Sequence, residues 1–240
     1  MGVPLHFEML DNNNENSNWE DRIKLFSKVI KTLGYHRIDY IVMDREFIGY
    51  KWLRWLKSLK IDFCVRVPKH HKILSPEGDR FSAEDVLKLG NRKVYLLPNH
   101  VVDTVSLNVS ISYDDDELLY LVGTIASNKL KKAYKKRWSI EVFFQALKGR
   151  GFNMEKSCIR KLDRYKKLFA VVSMSYTICW GMGIYISKKN PVGLKKHGYP
   201  QFSVFRRGLN KVREMIKSID FKDFTNMISH FRMNYLKIIG

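Results

Sequence analysis

Apolar positions along the chain change spacing several times, and each change predicts an element. Residues 2–10 (GVPLHFEML) are extended and mostly apolar, the pattern of a strand, and residues 11–15 form a polar loop. Asn18 stands as an N-cap, with Asp21 three places on as part of a capping box. Ile23, Phe26, Val29, Ile30 and Leu33 then recur at helical spacing, and Gly34 supplies the stop. Residues 38–43 (IDYIVM) read as a buried strand that stops at Asp44-Arg45-Glu46. A helix over 49–59 carries Trp52, Leu53, Trp55, Leu56 and Leu59, and a further strand over 61–67 closes at Pro68. Strand, helix, strand in this order predicts a βαβ unit with parallel strands, hence an α/β fold.

The pattern changes after Pro68. Short alternating runs such as 101–113 and 118–125 predict antiparallel strands. A long helix is expected over 129–149, and 168–186 is a charge-free run of helical length. That run would be roughly 28 Å long, close to the thickness of a bilayer core. Its internal Ser, Thr and Gly residues and its equally basic flanks favour a buried core helix over a membrane span. Two more helices are expected near 202–217 and 221–236.

Composition narrows the class. Lys and Arg number 43 against 24 Asp and Glu, a formal net charge of +19, in a chain of 240 residues that is 45% hydrophobic and 13% aromatic. A disordered basic tail is excluded by that apolar share. The charge is uneven: residues 74–118 are net acidic, whereas 129–170 and 188–240 are strongly basic. A folded, aromatic-rich, basic chain points to a polyanion, with nucleic acid the commonest. Cys64, Cys158 and Cys179 are widely separated, which fits a reducing compartment and neither a disulfide framework nor a zinc ribbon. Met1-Gly2-Val3-Pro4 has no secretory pattern, so a cytoplasmic protein with no membrane partner is expected.

Candidate chemistry lies in the 129–149 helix. Projected at about 100° per residue, Tyr134, Arg137, Glu141 and Lys148 fall within a sector of about 60°. The positions around Glu141 (Trp138, Ile140, Val142, Phe143, Phe144, Ala146 and Leu147) are apolar, which predicts a helix buried nearly all round. A narrow polar stripe on such a helix either pairs internally or lines a cleft that binds charge. An Arg137–Glu141 ion pair on a solvated face is the simpler alternative, and both readings stay open. Asp44, at the end of a buried strand, is a second carboxylate where open α/β sheets place ligands. Two such carboxylates suit Mg²⁺ or Mn²⁺. His70-His71 reads as a solvated pair rather than a metal site.

The spacing Y-x-x-R-x-x-x-E-x-x-x-x-x-x-K, carried by Tyr134, Arg137, Glu141 and Lys148, resembles the signature of insertion-sequence DDE transposases of the IS-four family. The run 43–57 (MDREFIGYKWLRWLK) resembles the segment around that family's second catalytic aspartate. The stretch 16–22 (NSNWEDR) resembles its Asn-Ser-Asn helix start. The resemblance covers residues 2–182. It implies an RNase H-like fold in which two Asp and one Glu bind two divalent ions, Mg²⁺ or Mn²⁺. On that basis Asp44 and Glu141 would be catalytic metal ligands, and Tyr134, Arg137 and Lys148 would contact transposon-end DNA.

The implied organisation is 1–68 and 128–187 as the RNase H-like core, 69–127 as a β-rich insertion, and 188–240 as a basic helical region. Nothing in the chain matches the family's first catalytic Asp; Asp11 follows the run that resembles a later strand. The expectation is therefore a C-terminal portion with an incomplete core, inactive alone in strand cleavage and transfer. The alternative is a catalytically dead fragment that binds double-stranded DNA or dimerises, with itself or with a full-length transposase, and modulates that enzyme. A basic regulator with a helix-turn-helix in the tail is a third reading.

Overall fold

A computed structural model describes residues 2–10, 17–88, 94–114, 117–149, 151–191 and 201–239. The loop expected over 11–15 lies outside the described residues. The chain divides into two compact units, one of Leu5–Ser139 and one of Met1–Pro4 with Ile140–Gly240.

The first unit is built on a mixed sheet of seven described strands. Helix α1 (Trp19–Leu33) begins at Asn18, whose side chain accepts from the Asp21 amide at 2.8 Å, and the Asp21 side chain completes the capping box. It ends at Gly34, whose φ of 81° suits a residue without Cβ. Strand β1 (Tyr40–Met43), helix α2 (Tyr50–Ser58) and strand β2 (Asp62–Arg66) follow. β1 and β2 are parallel, with Tyr40 opposite Asp62 and Met43 opposite Val65. Next come β3 (Lys72–Leu74), β4 (Arg80–Ser82), the short α3 (Ala83–Lys88), β5 (Tyr95–Val102), β6 (Val105–Asp114), β7 (Glu117–Gly123) and helix α4 (Ser127–Tyr134). The strand order is β1-β2-β7-β6-β5-β3-β4, so the antiparallel strands continue the sheet that the parallel pair begins.

Both faces of this sheet are covered near β2, which explains its unbroken apolar run. Successive strand residues point to opposite faces. Phe63 and Val65 join a core with Trp52, Leu53 and Leu56 of α2, while Cys64 between them joins Leu130, Ala133 and Tyr134 of α4. α1 lays Ile23 and Phe26 on the α2 side, with the Phe26 ring edge-on to Trp52 and Trp55 at 6.1 Å each.

Several elements differ from what the sequence predicts. Residues 2–10 do not form a strand. An apolar run becomes a strand only where a neighbour pairs its backbone, and Leu5 is left 61% exposed. The run 101–113 is not one strand but the end of β5, a two-residue turn and β6. Asp103 and Thr104 take positive φ, 46° and 67°, as a tight hairpin turn requires. The Asp-Thr pair carries no Gly to announce it. The helix expected over 129–149 is broken. α4 ends at Tyr134, a 3₁₀ turn occupies Lys135–Arg137, and helix α5 runs Trp138–Leu147. A 3₁₀ turn advances about 120° per residue rather than 100°, so the single helical projection fails across it. His71 is not simply solvated, since its Nε2 lies 3.1 Å from Asp103 Oδ1.

The second unit is helical: most of α5, then α6 (Leu162–Lys189), α7 (Val204–Ser218) and α8 (Lys222–Ile239). α5 is not buried all round; Phe143, Ala146 and Leu147 are buried, whereas Ile140 and Phe144 are exposed. α6 is long and apolar enough to cross a membrane by length and composition alone. Only one side of it is buried, along Phe169, Val172, Tyr176, Cys179 and Met182, while Val171 and Met174 are exposed. The core helix expected here is therefore half-buried. α6 and α7 approach until backbones touch, because a Cβ built on Gly208 would stand 1.7 Å from the Cys179 carbonyl oxygen. Tyr176 fills the space beside them, stacked on Phe205 at 5.1 Å and edge-on to Phe143 at 4.9 Å. The three cysteines are free thiols.

Candidate functional site

Asp44 follows the last residue of β1 and is the N-cap of a 3₁₀ turn over Arg45–Phe47. Its Oδ1 accepts the Arg45 amide at 2.8 Å, which fixes the carboxylate at the end of the strand. The Tyr134 hydroxyl donates to the same oxygen at 3.3 Å. Arg137 Nη1 lies 3.4 Å from Oδ2. The Arg137 guanidinium also lies over the Tyr134 ring, 5.4 Å from its centroid. Three side chains read from the sequence as candidates thus meet within one unit.

Local structure explains the meeting. α4 buries Leu130, Ala133 and Tyr134 against the β2 face, which directs the phenol along the sheet toward the strand ends. The 3₁₀ turn after Tyr134 brings Arg137 back over the ring. Asp44 remains 40% exposed and Arg137 21%, so the cluster is open to a ligand while its cation is partly desolvated. Burial is the main cause that raises the Tyr134 pKa, and the Asp44 charge adds to it; Arg137 and Arg66 pull the other way. The phenol therefore stays a neutral hydrogen-bond donor at physiological pH.

The sequence reading overlooked Arg66. Its signal is register: Met43 stands opposite Val65 in a parallel pair, so the residues after each, Asp44 and Arg66, emerge at the same sheet end. Arg66 is ion-paired with Glu117, and its charge acts on the Tyr134 hydroxyl. Arg22 stabilises the 3₁₀ turn from below, donating to the Glu46 carbonyl at 2.8 Å with its guanidinium 4.8 Å from the Phe47 ring centroid.

The other two predicted positions belong to the helical unit. Glu141 sits in the first turn of α5. Lys148 follows the end of α5, is exposed, and lies 3.4 Å from Glu155.

A hard divalent ion wants several oxygen ligands. Asp44 has the right donor type, but its oxygens already face an amide, a phenol and a guanidinium. Among the described residues no three His, Cys, Asp or Glu side chains gather to hold an ion. The residues that converge at Asp44 do not by themselves fit a metal centre. They form a carboxylate flanked by cations and a phenol, a surface suited to a phosphate-bearing ligand. A family model described as the transposase DDE domain matches residues 1–178. No curated protein matches the chain.

Proposed function

Because the chain belongs to the DDE transposase family and so has a role in DNA transposition, we propose that it engages transposon-end DNA at the Asp44–Tyr134–Arg137 cluster. In this reading it is of the IS-four group. Its fold is RNase H-like, with core segments 1–68 and 128–187, an insertion over 69–127 and a basic helical region over 188–240. Tyr134, Arg137 and Lys148 are the DNA-binding residues: the two cations neutralise backbone phosphates and the phenol hydrogen-bonds one. Asp44 and Glu141 are the carboxylates that the resemblance would give to Mg²⁺ or Mn²⁺, but Asp44, held by the Arg45 amide, Tyr134 and Arg137, serves in this reading to anchor the two DNA-facing groups.

One observation supports this above the rest. Tyr134 and Arg137 each reach a different oxygen of a carboxylate that lies 90 residues from Tyr134 in sequence. An ordinary surface ion pair would need only one of them.

Among the described residues the donors around Asp44 do not make a two-ion centre. The chain by itself is therefore proposed to bind double-stranded DNA without cutting it. By doing so, as a homodimer or paired with a catalytically active transposase in the cytoplasm, it modulates transposition. The test combines a plasmid-nicking assay in Mg²⁺ or Mn²⁺ with duplex binding from about 50 to 200 mM salt, where several phosphate contacts give a steep loss of affinity. Metal-dependent cleavage that vanishes in Asp44→Ala would overturn the inactivity. Affinity that stays flat with salt would overturn the DNA reading itself.

A further inference from the structure

Helix α2 carries a second cationic feature at the end of the sheet away from Asp44. Its sequence, YKWLRWLKS, contains no acid. Trp52, Leu53 and Leu56 face the core, which turns Lys51, Arg54 and Lys57 outward at intervals of three residues, about 4.5 Å of rise each. Elsewhere in the unit cations are commonly matched: Lys131 and Lys135 share Asp114 at 3.1 Å each, Lys69 meets Glu84 at 3.1 Å, and Arg66 meets Glu117. Lys51 instead lies over the Trp19 ring at 4.6 Å, and Lys57 Nζ donates to the Ser106 carbonyl at 3.1 Å. No ion pair joins Arg54 to an acid among the described residues.

The last turn of α2 meets the β5–β6 hairpin turn in a notch of about 470 Å³ lined by Arg54, Lys57, Ser58, Thr104, Val105 and Ser106. Among the described residues that line it there is no carboxylate. Two cations, with the hydroxyls of Thr104 and Ser106 beside them, make a concave surface of donors. Lys57 spends one of its three N–H groups on Ser106, and the guanidinium of Arg54 presents several more. The Lys57 bond to the hairpin also holds its ammonium at the notch instead of leaving it to sweep through solvent.

We propose that this notch binds backbone phosphate of duplex DNA as a second contact, separate from the cluster at Asp44. Position argues for a second contact rather than an extension of the first. Asp44 follows the C-terminal end of β1, whereas the end of α2 leads into the N-terminal end of β2, where Asp62 stands opposite Tyr40. β1 alone spans roughly 13 Å, about four base-pair steps of duplex. One phosphate cannot touch both places, but one duplex can. The proposal rests on the DNA reading above, and the variants are chosen to separate the two.

The test measures affinity for a duplex across about 50 to 200 mM salt. Four proteins are compared: the unaltered chain, Arg54→Gln with Lys57→Gln, Lys72→Gln with Lys88→Gln as an equal-charge control on the same unit, and Arg137→Gln. Circular dichroism confirms that each is folded. Two lost phosphate contacts should lower the slope of log K against log salt by about 1.8, at roughly 0.9 per phosphate. The control pair should change it by less than half as much. The proposal is overturned if the Arg54/Lys57 pair keeps the original slope, or if the control matches it, since either outcome leaves only a diffuse field. A lowered slope in the Arg54/Lys57 pair with none in Arg137→Gln supports the notch and counts against the Asp44 site; the reverse pattern overturns the notch alone.

Discussion

The hydroxyl of Tyr134 donates to Oδ1 of Asp44 across 3.3 Å, tying the end of α4 to the end of β1. Arg137 approaches the other oxygen, so both faces of the carboxylate are occupied by groups that also suit phosphate. Replacing either partner should therefore act on DNA more than on folding. Tyr134→Phe keeps the buried ring, and Arg137→Gln removes a pair that is partly solvated and worth about 0.5 kcal/mol. Arg137→Gln is expected to weaken duplex binding about tenfold and lower the salt slope by about 1. Melting curves and anisotropy titrations check both halves; a large stability loss with unchanged binding would make the cluster structural.

Alkaline pH should destabilise the sheet unit. Burial pushes the Cys64 thiol up to about 12 from an ordinary 9.0, and the Tyr134 phenol moves in the same direction. Both groups are neutral when protonated, and the folded state holds those protons more tightly than the unfolded chain does. The Cys64 contribution is full below pH 9 and is lost as pH rises toward 12, and that of Tyr134 falls in the same direction as its phenol ionises. Each group adds at most about 1.4 kcal/mol per pH unit within its window. Urea denaturation at several pH values should show the fall, and Cys64→Ala should reduce its steepness by one proton's worth. An unchanged slope in that variant would mean Cys64 takes no part.

Gly208 holds α6 and α7 together by lacking a side chain. A methyl there would meet the Cys179 carbonyl at 1.7 Å and the Gly183 amide nitrogen at 2.6 Å, both backbone atoms that cannot swing aside. Gly208→Ala should cost about 3 kcal/mol or more through overpacking. Thermal melts followed by circular dichroism read this directly; a melting point within a degree of the parent would contradict the close approach.

Asn18→Ala removes the acceptor for the Asp21 amide at the start of α1. The expected loss is about 1 kcal/mol. Denaturant midpoints for Asn18→Ala and Asn18→Ser separate the cap from the side chain's bulk, because Ser restores the cap and should recover most of the loss.

Much of the sheet unit was legible because its signals are local. The Asn18–Asp21 box, Gly34 and the IDYIVM and IDFCVRV runs specify their elements from neighbouring residues alone. Arg66 was not legible, since its nearness to Asp44 depends on strand register, which pairs Met43 with Val65 across an intervening helix. The hairpin at Asp103-Thr104 was also hidden, because the positive φ its turn needs falls on an Asp and a Thr, with no glycine to mark it. The exposed side of α6 defeated an argument from hydropathy, because apolar content reports what a helix is made of and not how many neighbours cover it.

Short stretches of the chain already name the residues able to act: a basic, aromatic-rich composition, an acid ending an apolar strand, and a Tyr and an Arg three apart before a Glu. They do so because capping, periodicity and charge are local properties. Tertiary packing alone makes Tyr134 and Arg137 share Asp44, brings Arg66 beside them, and replaces one long helix by a 3₁₀ turn over Lys135–Arg137 between α4 and α5. Those outcomes follow from strand order and from α4 lying on β2, and such long-range pairings are fixed by the burial of whole faces rather than by any local run of residues.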